Sequence, residues 1–145
     1  MMPTREECIK IWDEYELPEN IRDHIELVTK IAVFLGKELK KKGEKIDIKL
    51  VEKAALLHDI DKMQTVGENV HNHGLISHDI LLEKGFSKEL AELVKFHKLE
   101  APNSIANRWE VKILRYSDAR SLGDKIVSLG ERFKYLCVYS VINQI

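Results

Sequence analysis

The chain has 145 residues, of which 44% are hydrophobic and 32% charged, and 23 basic side chains nearly balance 24 acidic ones for a net charge of −1. That length suits one globular domain over residues 1–145 with a single apolar core, and the charge balance gives no global field that would argue for nucleic acid or an anionic membrane as partner. Cys8 and Cys137 form neither a metal-type nor a redox pair, and the charged start MMPTREECIK lacks a signal peptide's apolar run, so a cytoplasmic protein that crosses no membrane is expected.

Helical periodicity runs through nearly the whole chain and predicts an all-α fold, a bundle of about six to seven helices. Thr4 and Glu7 read as a capping box opening a first helix that runs to about Tyr15. Pro18 starts a second, on which Ile21, Ile25, Val28, Ile31, Ala32 and Leu35 recur at helical spacing until Gly43 stops it. Asp47 caps a third, which carries Val51, Ala54, Ala55 and Leu57 inward and finishes around residues 58–62. TVGENV is expected as a loop. Asn72 is expected to cap a fourth helix that reaches Lys84 and stops at Gly85, and Ser87 a fifth with Leu90, Leu93 and Val94 on one stripe. LEAPNSIAN is expected to be irregular, followed by a sixth helix from about Asn107 or Arg108 to Ser121 and a seventh over about 124–142. Ile126, Leu129, Phe133, Leu136 and Val138 give that last helix an apolar face, for the core by default or for a homo-oligomer interface. Trp12, Trp109, Tyr116 and Phe133 are expected in the core or at its rim, and KELKKKGEK as a solvated helix end.

Several ionisable residues fall on the stripes that should face the core. His24 lies between Ile21 and Ile25, Asp118 shares a face with Val111, Leu114 and Leu122, and His97 follows Leu90, Leu93 and Val94. Each has an ordinary structural explanation: a hydrogen-bonded buried imidazole, an ion pair with Arg115 or Arg120, and a contact with a helix dipole. His58 and Asp59 end the stretch AALLHD. In a continuous helix such neighbours diverge by about 100°, but at a helix end both can turn toward one ion. Four predicted helices then deliver an imidazole or a carboxylate inward, and a shared divalent cation would offset the desolvation of them all. Nitrogen with oxygen donors suits Mn, Fe, Co, Ni or Zn better than Ca, and the lack of thiolates argues against a zinc finger.

The order His24, His58-Asp59, Asp118, over roughly residues 20–125, resembles the HD-domain metal-dependent phosphohydrolases, whose pattern is His, then His-Asp, then Asp across a helical bundle. HDIDK is similar to the HDIGK variant, with Asp61 where glycine is usual. HNHGLISHDILLEKGF resembles the region that supplies further histidines in some members; His73-Gly74 is the match, His97 corresponds to the histidine late in the next helix, and His71 and His78 do not match. Full two-metal sites often show two consecutive histidines where this chain has His97-Lys98.

The resemblance implies an HD-domain-like fold and a divalent ion (Mn, Fe, Co, Ni, Zn or Mg) held by His24, His58, Asp59 and Asp118, with His73 and His97 open as ligands of a second. It also implies catalytic roles: Asp59 orienting water, Lys62 binding a phosphate oxygen, and His73 and His97 holding phosphate or protonating the leaving oxygen. The implied substrate is a small phosphomonoester or phosphodiester, a nucleotide or a related molecule, with Arg108, Arg115 and Arg120 as further candidates for its phosphate. Two other classes stay open: an HD-type di-iron oxygenase, and a non-catalytic metal or nucleotide sensor.

Overall fold

A computed structural model describes residues 1–135, with Glu68 in backbone only. The helices are α1 (Arg5–Glu14), α2 (Glu19–Lys41), α3 (Ile48–Leu57), α4 (Leu75–Glu83), α5 (Lys88–Lys95), α6 (Asn103–Ala106) and α7 (Trp109–Ala119), followed by a two-stranded hairpin of β1 (Ser121–Leu122) and β2 (Lys125–Ile126). Residues 129–135 are again helical. The fold is all-α in class, as the periodicity predicts.

α3 is the centre of the bundle. Leu50, Val51, Ala54, Ala55, Leu56 and Leu57 have no exposed surface, so this helix is buried except along the face of Lys49, Glu52 and Lys53 and packs against α1, α2, α5 and α7 at once. Asp47 caps it by accepting the Leu50 amide at 3.0 Å. The Thr4–Glu7 capping box starts α1 through reciprocal bonds of 2.8 and 3.1 Å. Trp12 Nε1 then donates to the Leu56 carbonyl at 2.7 Å and ties α1 to the core. α2 contributes Ile25, Val28 and Ala32, and α5 contributes Leu90, Leu93 and Val94 from behind its Ser87 cap.

The chain departs from the predicted elements in three places. α4 starts at Leu75 rather than behind Asn72, which lies in a 3₁₀ segment, Gly67–Asn72, that also takes up part of the expected TVGENV loop. Its N-cap is Gly74 at φ +89°, and the first-turn amides are satisfied by a residue distant in sequence, which no local cap signal encodes. Within LEAPNSIAN, Pro102 opens the single-turn α6, its fixed φ of −55° suiting a helix start.

The third departure is the expected helix over 124–142. Its first residues form the hairpin, in which Ser121 pairs with Ile126 and Leu122 with Lys125 around Gly123 at φ +60°. Arg120 and Val127 close it, with the Val127 amide on the Arg120 carbonyl at 2.8 Å and Arg120 Nε on the Val127 carbonyl at 2.6 Å. Ser128 accepts the Glu131 amide and restarts the helix. Ile126 and Phe133 are more than 60% exposed, so the described part of this apolar face is not core. Leu136, Val138 and the helix end expected near 142 lie outside the described residues.

Candidate metal centre

α3 stops at Leu57, and bonds from the Ile60 amide to Leu57 O and from the Lys62 amide to Asp59 O replace the helical pattern by successive turns. The break removes the divergence that a continuous helix would impose on neighbours. His58 Nε2 therefore lies 3.3 Å from Asp59 Oδ2. α2 brings His24 to the same point, with Nε2 3.4 Å from Asp59 Oδ2 and 3.1 Å from Asp118 Oδ1, the latter carried by the last turn of α7. His58 Nε2 is 3.5 Å from Asp118 Oδ1. The residues before α4 and after α5 add His73 and His97, whose Nε2 atoms are 3.2 Å apart and 3.0 and 3.9 Å from Asp59 Oδ1. All six side chains that the sequence singled out at these positions converge.

Each imidazole is held in the same manner. Nδ1 of His58 faces the Ala55 carbonyl at 2.6 Å, Nδ1 of His97 the Val94 carbonyl, Nδ1 of His24 the Gly123 carbonyl at 3.0 Å, and Nδ1 of His73 the Asp61 carboxylate at 2.6 Å. Those oxygens only accept, so each Nδ1 carries a proton and each ring, in its neutral form, turns an Nε2 lone pair inward. The inward neighbours are carboxylate oxygens and another Nε2. Lone pairs facing one another at these distances require positive charge between them.

Without an ion the charge can come only from protons. Burial disfavours an imidazolium at His58, yet Asp59 and Asp118 hold it up to about 10. Against the same burial penalty, Asp59 and Asp61 raise His73. Burial and the charge at His58 push His97 down to about 3. Burial would raise the carboxyl groups of Asp59 and Asp118, but the imidazoles hold both well below the usual carboxylate range. Even so, His58 Nε2 finds no hydrogen-bond partner among the described residues.

The donor set therefore fits a divalent cation. His24, His58 and Asp118, and likewise His58, Asp59 and His97, offer ligand atoms that lie within 4.8 Å of one another.

A cavity of about 540 Å³ opens over this cluster, reached by His24, Asp59, Lys62, Lys98, Arg132 and Tyr135. Lys98 Nζ is 3.2 Å from Asp118 Oδ2, on the side away from His58, and Lys62 is exposed at the rim. The three arginines put forward from sequence do not line it. Arg108 pairs with Glu89 and Glu110, Arg115 donates to the Phe96 and Leu99 carbonyls, and Arg120 closes the hairpin. Neither Arg115 nor Arg120 neutralises Asp118, whose partners are the imidazoles and Lys98. His71 is exposed and His78 pairs with Asp79, away from the cluster.

Sequence reasoning overlooked Asp61, Lys98 and Arg132. An acid in the place of a usual glycine, two residues past His-Asp, was the available signal for Asp61; nothing local marked the other two.

A helical bundle that surrounds a buried cluster of imidazoles and carboxylates defines an HD-type domain. Residues 21–135 match the HD domain family, and the chain belongs to it. The family lies within the metal-dependent phosphohydrolase superfamily. Among curated relatives, the chain is 37% identical over 129 residues to an uncharacterized protein of Methanocaldococcus jannaschii, a match covering 80% of this chain and 75% of that protein. It is 27% identical over 144 residues to a tRNA (cytidine(56)-2'-O)-methyltransferase of Thermoplasma volcanium, covering 90% of this chain but 40% of the enzyme. It is 30% identical over 131 residues to ribonuclease Y of Protochlamydia amoebophila, covering 88% of this chain and 23% of that protein. No solved structure gives a significant match. Among the described residues, no helix is long and apolar enough to cross a membrane.

Proposed function

We propose that the chain is one HD-type domain and a metal-dependent phosphohydrolase, with His24, His58, Asp59 and Asp118 holding a divalent ion. Its substrate is a small phosphomonoester or phosphodiester, a nucleotide or a related molecule. The observation that carries this reading is the common commitment of Nδ1 on His24, His58, His73 and His97, which leaves four Nε2 atoms aimed at the oxygens of Asp59 and Asp118 or at one another. The name of the ribonuclease relative supports keeping phosphodiesters within the substrate class.

A bound divalent ion supplies Lewis acidity, drawing charge from phosphorus and lowering the pKa of water. Asp59 turns Oδ2 toward His24 and His58 and Oδ1 toward His73, so the carboxylate is fixed in orientation and can align an attacking water. Lys98 and Lys62, at the cavity wall and rim, receive phosphate oxygens as point charges. Attack forms the new phosphorus–oxygen bond as the bond to the leaving oxygen breaks, and a proton passes to that oxygen. That proton is drawn from solvent in the cavity rather than from His73 or His97, as the sequence had suggested, because both rings turn Nε2 lone pairs toward the cluster and His97 is held down to about 3.

The test is metal analysis of the purified chain, followed by phosphatase and phosphodiesterase assays with Mn, Co, Ni, Mg and Fe. Asp59→Ala should abolish turnover while circular dichroism keeps its helical signal; unchanged turnover sinks the assignment. The close His73–His97 pair favours one second reading, a di-iron oxygenase, which iron content together with oxygen-dependent turnover would establish instead.

A further inference from the structure

Asp61 has no part in the chemistry above, yet it is fully buried beside it. Its Oδ1 accepts His73 Nδ1–H at 2.6 Å, and its Oδ2 accepts the amides of Gly74 at 2.7 Å and Ser77 at 3.0 Å. Its own backbone is clamped as well, the amide on Ser77 Oγ at 3.3 Å and the carbonyl on Thr65 Oγ1 at 3.1 Å. One carboxylate thus caps α4 and holds the ring that precedes it. Gly74 completes the arrangement: a Cβ there would stand 2.9 Å from the Lys95 carbonyl, so the start of α4 is pressed against the end of α5. That contact sets His73 beside His97.

We infer that Asp61 is a positioning residue that fixes His73 in its Nδ1-protonated tautomer, so that His73 Nε2 joins His97 Nε2 and Asp59 Oδ1 as donors toward a cation. The inference rests on the metal-centre reading. A carboxylate is required because three N–H groups converge on Asp61 and only an all-acceptor side chain satisfies them all. An amide of the same size cannot. In Asp61→Asn the amide oxygen serves the two backbone donors, and the NH₂ group then faces His73 Nδ1. That nitrogen must accept, the ring proton moves to Nε2, and the lone pair leaves the cluster.

The experiment compares the full chain and Asp61→Asn, both labelled with ¹⁵N-histidine and titrated with Zn(II), by long-range ¹H–¹⁵N correlation spectra and by equilibrium Zn binding. His73→Ala assigns the His73 signals. In the Zn-loaded unsubstituted chain His73 should carry its proton on Nδ1 alone. In Asp61→Asn the pattern of that ring alone should invert, with Zn affinity falling about 10–100-fold, the usual effect of removing a ligand's orienting partner. Asp61→Glu, which keeps the carboxylate, should restore part of the affinity.

A proton on His73 Nε2 in the Zn-loaded unsubstituted chain overturns the inference without any variant, should Asp61→Asn fail to fold. Absence of Zn uptake by that chain overturns the metal-centre reading together with this one. Uptake that Asp61→Asn leaves unchanged overturns this inference alone.

Discussion

His58 Nε2 lies 3.3 Å from Oδ2 of Asp59, its neighbour in the chain. Two adjacent side chains meet there because α3 ends at Leu57 and the backbone turns beneath them. The same break leaves His58 Nδ1 on the Ala55 carbonyl, so Nε2 is the nitrogen that faces the cluster. Several measurable consequences come from this arrangement.

Substituting either partner should remove the ion and the chemistry it supports. His58→Ala and Asp59→Asn are expected to lower kcat by about 10³-fold or more, which corresponds to several kcal/mol of lost transition-state stabilisation. Metal content measured on the same preparations should fall with activity. A variant that keeps its metal and its rate would remove that residue from the centre.

Metal uptake should release protons and tighten as pH rises. In the metal-free chain the carboxylates hold His58 at about 10, so at pH 7 its Nε2 carries a proton that an incoming ion must displace. Each displaced proton makes affinity rise about tenfold per pH unit. Calorimetry in buffers of different ionisation enthalpy counts the protons released; a count of zero would contradict the charge state of the cluster.

Stability of the metal-free chain should follow the same groups. His58 is raised from 6.5 to about 10, so its contribution is complete below pH 6.5 and is lost as pH rises through 10. His97 is lowered from 6.5 to about 3, so its contribution is complete above pH 6.5 and is lost as pH falls toward 3. Asp59 and Asp118, held below 3.8, add to the loss on the acid side. The Tm of chelator-treated protein should therefore be highest near pH 6.5 and decline in both directions. A Tm that climbs steadily from pH 6.5 to 10 would contradict this.

The close approach at Gly74 predicts a sharp steric response. Gly74→Ala places a methyl group 2.9 Å from the Lys95 carbonyl in a backbone at φ +89°, and should cost about 1–3 kcal/mol or more. Gly43, at φ +96° with no atom near its Cβ position, should lose less on the same change. Urea unfolding of the two variants separates steric from purely conformational cost.

Substrate affinity should depend on the lysines at the cavity and not on the arginines elsewhere. Lys62→Ala and Lys98→Ala are expected to raise KM for a phosphorylated substrate by about tenfold, the scale of one charged hydrogen bond. Arg108→Ala breaks an outlying pair with Glu89 and should leave KM within about twofold. A larger effect at Arg108 than at either lysine would shift the substrate to another face.

The donors were legible because burying a charge is costly. His24, His97 and Asp118 stand where the helical period calls for leucine or isoleucine, and that mismatch marks them without any knowledge of their partners. Asp61 carries no such mark. Its partners are His73, Gly74 and Ser77, 12 to 16 residues away, and the bond to His73 exists only because α4 folds back against α5. The arginines misled for the same reason: their charge is visible in sequence, but the carbonyls and acids that absorb it are not. The hairpin after α7 was hidden because Leu122, Ile126 and Leu129 can be read at helical spacing, whereas Gly123 and the Arg120–Val127 closure turn the chain back.

The sequence alone determined the helical class, the caps of α1, α3 and α5, and which imidazoles and acids leave water, since these depend on local propensity and on periodic burial. Tertiary structure decided which nitrogen of each ring faces inward, which cations reach the cavity, and that Asp61 both caps α4 and orients His73. Those outcomes depend on distances between segments far apart in the chain, and such distances exist only once α2, α3, α5 and α7 have packed.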